Sequence, residues 1–152
     1  MAYTAEQLRS RLFVRSVDFD PASANEEPVQ LNPAASENYL ALNANGAPKR
    51  YLFCVFRSVG TGGLTTVTVK AATAADGTGE TTVKQITPTT ADAVGDHVFV
   101  EVDADQIRAA LSTATHVGLE IDVVTGTDEC VVTVIGSDCQ HQYDELTADY
   151  IA

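Results

Sequence analysis

Two stretches of the sequence hold the residue types from which sites are built. Asp76-Gly77-Thr78-Gly79-Glu80 has the outline of a loop for calcium or phosphate. A phosphate loop needs a helix behind it, whose first N–H groups meet the anion, and usually a lysine. The residues that follow here read as a strand. A calcium loop needs carboxylates at several fixed positions, and this one lacks that density, so a strand-connecting turn is expected instead. The second stretch is Cys130, Cys139 and His141, with His116 upstream. Thiolates and imidazoles are zinc ligands, but structural zinc sites show paired, closely spaced ligands, and Cys130 sits inside an apolar run where a cysteine behaves as a small hydrophobe. The pair Cys139 and His141 has the chemistry of a nucleophile and its base, yet an extended tail holds neighbouring side chains apart and provides no cleft. Glu120 and Asp122 share one face of a strand and read as solvated. No glycosidase, P-loop or dinucleotide motif is present. The expectation is a chain that is not an enzyme, with no catalytic residue, cofactor or metal.

The elements around these residues are strands. In Val117 to Val123, valine, leucine and isoleucine alternate with Gly118, Glu120 and Asp122, the period of a strand with one buried face. Cys130 to Ile135 is apolar at nearly every position, which reads as a strand covered on both faces. Gly126 lies in the short polar link between them, so the two are expected to pair as a β-hairpin. Upstream, Arg50 to Arg57, Leu64 to Lys70, Thr82 to Thr87 and His97 to Val102 read as further strands, with Val59 to Gly63 as a flexible turn. Cys54 reads as core. Asp103 to Leu111 is the best internal helix: Asp103 caps it, Gln106 completes a capping box, and Ile107 and Leu111 share a face. It is expected to close one end of the fold. Short strands, frequent turns and little helix predict an all-β chain, an antiparallel β-sandwich or jelly-roll-like domain with one short helix and extended N- and C-terminal arms.

Residues 50–136 form the expected β-sandwich core. Residues 1–49 are an extended N-terminal arm or loop region. A short helix after Thr4 and a strand over Leu12, Phe13, Val14 and Val17 are expected there, and Tyr39, Leu40 and Leu42 make another short strand. Prolines 21, 28, 33 and 48 break any longer element. The region is either an arm or a loop laid over the sandwich. Residues 137–152 form a C-terminal tail. Both ends carry apolar side chains that ask for a surface to bury against, which makes Leu8, Leu12, Phe13, Tyr39, Leu40, Tyr143, Leu146 and Tyr150 the candidate partner-binding residues.

Composition narrows the function classes. The chain has 152 residues, 45% of them hydrophobic, enough for one ordinary domain with a real core. Its formal net charge is −12, and its nine lysines and arginines form no stripe. Such a surface repels phosphate, so nucleic acid is not an expected partner; a basic or neutral protein surface fits better. No apolar run is long enough for a membrane helix, and the first residues lack the apolar core of a secretion signal. Three cysteines make an odd count, and a reducing cytoplasm is the simplest setting. A Cys130–Cys139 bridge stays chemically open.

Three segments resemble small virion proteins of tailed phages. They are Val67 to Gly79 with Val83-Lys84, Val100 to Ile107, and His116 to Ile121 leading into Val132 to Gly136. The order strand, Ala-Thr, Asp-Gly-Thr-Gly, strand, then His-Val, alternating strand, hairpin, strand, Gly, is similar to head-associated structural proteins, including cement or decoration proteins. The resemblance covers about residues 50–140, the β domain. It implies a β-sandwich that oligomerises on the capsid surface, with the major capsid protein and neighbouring copies of itself as partners, no catalytic residues, assembly in the host cytoplasm and a final place on the virion. A phage neck, tail or fibre-base protein is the nearest alternative. A cellular carbohydrate-binding or adhesion module would call for exposed aromatics on a flat face, and tryptophan is absent.

Overall fold

A computed structural model describes residues 13–32, 37–42, 47–89 and 93–137. Among them are nine strands and one helix: β1 (Phe13–Phe19), β2 (Glu27–Pro28), β3 (Leu40–Ala41), β4 (Arg50–Arg57), β5 (Leu64–Ala72), β6 (Thr81–Ile86), β7 (His97–Asp103), α1 (Ala104–Ala110), β8 (His116–Val123) and β9 (Cys130–Ser137). They form two antiparallel sheets. Sheet A has the order β1-β9-β4-β7, and sheet B the order β2-β8-β5-β6, with β3 also on β8. The chain changes sheet at nearly every connection, and β5–β6 is a hairpin within one sheet. Two four-strand orders interleaved in this way are the jelly-roll arrangement of the β-sandwich. All-β architecture, antiparallel pairing and one short helix are thus as the residue pattern predicts.

The core lies between the sheets. Tyr51, Phe53 and Val55 of β4, Val132 and Val134 of β9 and Val100 of β7 meet Val67, Val69 and Ala71 of β5 and Val117, Leu119 and Ile121 of β8, all without solvent exposure. Helix α1 forms as expected: the Asp103 carboxylate accepts from Gln106 N–H at 2.8 Å while the Gln106 side-chain oxygen accepts from Asp103 N–H at 3.0 Å. It joins the sheets at one end and buries Ile107.

Three expectations change. First, β8 and β9 do not pair: β8 lies between β2 and β5 in sheet B, and β9 between β1 and β4 in sheet A. The 124–129 link is an arch between sheets. Second, the sheets begin before residue 50. Residues 13–19 run antiparallel to β9 from Phe13 opposite Gly136 to Phe19 opposite Cys130. Residues 27–32 and 37–42 lie along the β8 edge, where Val29, Leu31 and Leu40 enter the core. Of the arm and the overlaid loop, the described part of this region takes the second form. The Arg15 guanidinium fastens it by donating to Leu31 O and Asn32 Oδ1, each at 2.9 Å. Third, the alternation in β9 is strict: Cys130, Val132, Val134 and Gly136 are buried, while Val131, Thr133, Ile135 and Ser137 are half-buried. Only one of its faces is covered.

Candidate functional site

The outward face of sheet A follows from the register. Across the sheet the outward side chains form three rows: Val14, Ile135, Leu52 and Glu101; Ser16, Thr133, Cys54 and Phe99; Asp18, Val131, Phe56 and His97. Neighbours in a row stand about 4.8 Å apart. Phe56, His97 and Phe99 gather into one aromatic cluster. The Phe56 and Phe99 rings meet edge to face at 6.1 Å, and His97 lies 4.9 Å from Phe99. Phe99 remains 50% exposed, Val14 44% and Phe56 38%. These side chains form one outward apolar and aromatic patch.

This patch runs onto one end of the sandwich. The segments 20–26, 58–63, 87–89, 93–96 and 124–129 lie there, with Val59, Val94 and Val124 exposed. Between the 61–64 segment, Pro88 and Val124 lies an open groove of about 350 Å³.

The 58–63 segment, expected to be a flexible turn, is fastened by Asp128. One oxygen of its buried carboxylate accepts from Gly62 N–H at 2.9 Å and from Arg57 Nη2 at 3.0 Å; the other accepts from Thr125 N–H at 3.0 Å and Thr125 Oγ1 at 2.8 Å. The pair is fully buried. Desolvation pushes the Asp128 carboxyl up, but the Thr125 and Gly62 hydrogen bonds and the Arg57 charge outweigh it and hold it below the usual range. Glycine is required on the opposing segment: a Cβ at Gly60 would lie 2.1 Å from the carboxylate and one at Gly62 2.2 Å from it, and Gly60 also has φ +110°. Val59 and Val124 are thereby carried on segments held together by Asp128.

The opposite face, on sheet B, is covered by the chain itself. Tyr39 lies flat over Gly118, where a Cβ would come within 2.3 Å of its ring. Its hydroxyl sits 2.8 Å from Glu80 Oε2 and 3.1 Å from Glu120 Oε1, and Lys70 Nζ reaches Glu120 at 2.9 Å. One phenol proton cannot serve two carboxylates at once. Burial accordingly holds the Glu120 carboxyl above its ordinary range, with Glu80 adding to the effect and Lys70 opposing it. Desolvation also acts upward on Glu80, but hydrogen bonds from Glu120, Tyr39 and Lys70 carry it below that range. The cluster closes a seam and offers no open cleft.

The sequence-expected site residues fall in two groups. Phe13, Tyr39 and Leu40 have no solvent exposure; within this fold they pack against their own chain rather than offer a surface. Leu8, Leu12, Tyr143, Leu146 and Tyr150, like Cys139 and His141, lie outside the described residues. Cys130 and His116 stand at opposite ends of the fold, on different sheets. Asp76-Gly77-Thr78-Gly79 is the turn of the β5–β6 hairpin, closed by Thr78 N–H donating to Asp76 Oδ1 at 2.9 Å. Phe56, Phe99, Val59, Val94 and Val124 were not among the expected site residues. Phe56 lies in the apolar run of β4, Phe99 faces outward by the alternation of Val98, Val100 and Val102 in β7, and the three valines lie on connections where no periodic pattern marks them.

No family model matches the chain, and no curated protein matches it. Solved structures align at low similarity. A chain from the disulfide-linked pili of Bacillus endospore appendages is 15% identical over 90% of this chain and 96% of that one, with a TM-score of 0.33. The T13 IBDV viral particle aligns at 16% identity and TM-score 0.30. Infectious Bursal Virus derived T=1 particles align at 16% identity and TM-score 0.31. In both viral cases the alignment spans 88% of this chain and 37% of the other. Scores of this size lie below a shared fold, and the functional argument stands on the chain's own surfaces.

Proposed function

We propose that this is a non-catalytic structural protein of the capsid cement or decoration type, which docks on the outer surface of a shell of major capsid protein and stabilises it. One observation carries the reading. Strands β4 and β9 have the apolar composition of strands buried on both faces, yet among the described residues one face is buried and the other presents Phe56 and Ile135, beside Phe99 of β7. A second protein surface supplies the missing cover. Residues near the centre of such a patch contribute most of the binding energy, aromatic ones above all, and the aromatic cluster has that place here. Repetition on a shell multiplies weak contacts into high avidity, which suits a small rigid sandwich.

Co-sedimentation of the purified protein with undecorated capsid shells tests this. Wild-type protein pellets with the shells at saturable stoichiometry, and a Phe56→Ser, Phe99→Ser variant stays in the supernatant while melting at an unchanged temperature. Wild-type protein that never pellets contradicts the proposal.

A further inference from the structure

Charge is unevenly distributed over the sandwich. The end that carries Val59, Val94 and Val124 also carries Asp18, Asp20, Asp96 and Glu129, with Asp122 nearby on sheet B. Among the described residues the one cation at that end is Arg57, which is fully buried and paired with Asp128. The exposed cations Lys49, Arg50, Lys84 and Arg108 belong to the other end or to the β6–β7 side. Lys84 is committed there, donating to Glu101 O at 3.0 Å.

Asp18, Asp20 and Glu129 have no cationic or hydrogen-bonding side-chain partner among the described residues. Asp18 occupies the same row as Val131, Phe56 and His97, about 10 Å from Phe56 by strand spacing. Glu129 is fixed by its backbone, which exchanges hydrogen bonds with Val59 at 3.1 and 3.3 Å. Carboxylates therefore border a preformed apolar patch, and no cation among the described residues pairs with Asp18, Asp20 or Glu129.

We propose that this end is the part of the docking surface that selects the partner, and that it takes a protein surface bearing lysine or arginine around an apolar depression. The inference rests on the docking reading above and adds the partner's chemistry. Acids at the rim steer an oppositely charged surface during encounter and reject acidic ones, while the valines and phenylalanines supply the contact energy. Nucleic acid and anionic lipid are repelled by the same charges. A second copy of this chain docking by the same end would place like charges opposite one another, which is costly.

The test measures association with undecorated capsid shells by light scattering between 50 and 500 mM NaCl, for wild type and for the variant Asp18→Asn, Asp20→Asn, Glu129→Gln. Steering of this kind changes on-rates by about tenfold or more, and its reach shrinks with salt. Wild-type association therefore slows about tenfold across the range. The neutralised variant starts slow at low salt, loses most of the salt dependence and keeps the wild-type melting temperature. Wild-type binding that is insensitive to salt, or a neutralised variant that associates as fast as wild type at 50 mM NaCl, overturns the inference and leaves the docking function standing. Absence of binding at every salt concentration overturns both.

Discussion

Replacing Asp128 by alanine removes four hydrogen bonds at once and leaves a guanidinium buried without a counter-charge. Arg57 is already at the limit of what the site supplies: its Nε and Nη1 have no partner among the described residues, and Nη2 alone meets Asp128. Breaking a fully buried pair by removing one member costs about 3–5 kcal/mol. At about 2–4 °C per kcal/mol for a chain of this length, the melting temperature falls by about 6–20 °C. Arg57→Met acts on the same pair from the other side. It leaves Asp128 with its Gly62 and Thr125 hydrogen bonds and removes two unpartnered nitrogens, so it costs less than Asp128→Ala. The Asp128 contribution also follows pH. Its carboxyl is depressed in the fold, so the stabilisation is complete above the unfolded value near pH 3.9 and is lost as pH falls through the folded value. Thermal melts and urea titrations of both variants decide the matter. An Asp128→Ala protein melting within about 2 °C of wild type, or an Arg57→Met protein that loses more than Asp128→Ala, refutes the clamp.

Gly118→Val drives a side chain into the Tyr39 ring, where even a Cβ would approach to 2.3 Å, and costs about 1–3 kcal/mol of overpacking in urea denaturation; no loss would mean that Tyr39 moves aside freely. Glu120→Gln tests the raised carboxyl beneath Tyr39. A carboxyl raised in the fold gives stability that is present below its unfolded pKa and lost as pH rises through the folded one. The variant therefore gains on wild type as pH climbs from about 4.3, then keeps a constant advantage, and a pH-independent difference in urea titrations would refute this. Phe99→Ser, at an exposed position, changes stability by no more than about 0.5 kcal/mol but removes docking; a variant that binds shells as wild type does places the contact elsewhere.

The strands were legible because their causes are local. Alternation in Val117 to Val123, the capping box at Asp103 and the composition of Arg50 to Arg57 each specify an element from neighbouring residues. The pairing of β8 and β9 was not legible in the same way. Adjacent strands with a short glycine-containing link read as a hairpin by default. What makes this link an arch is Asp128 meeting Arg57 and Gly62, residues far away in sequence, and no local pattern encodes that meeting. Tyr39 shows the same limit: its apolar neighbours suggested a strand awaiting a partner, and its place was set by the missing side chain of Gly118. The outward apolar side chains Phe56 and Ile135 lie in the apolar runs of β4 and β9. An unbroken apolar run means cover on both faces, and the sequence leaves open whether that cover comes from the same chain.

Electron cryo-microscopy of shells saturated with this protein tests the central claim most directly, because it shows which face of the sandwich meets the shell. The account predicts contact through Phe56, His97 and Phe99 and through the tips at Val59, Val94 and Val124, with basic residues of the shell facing Asp18, Asp20 and Glu129. A sandwich seated on the shell by the Tyr39 face of sheet B, with the aromatic patch turned to solvent, would contradict it.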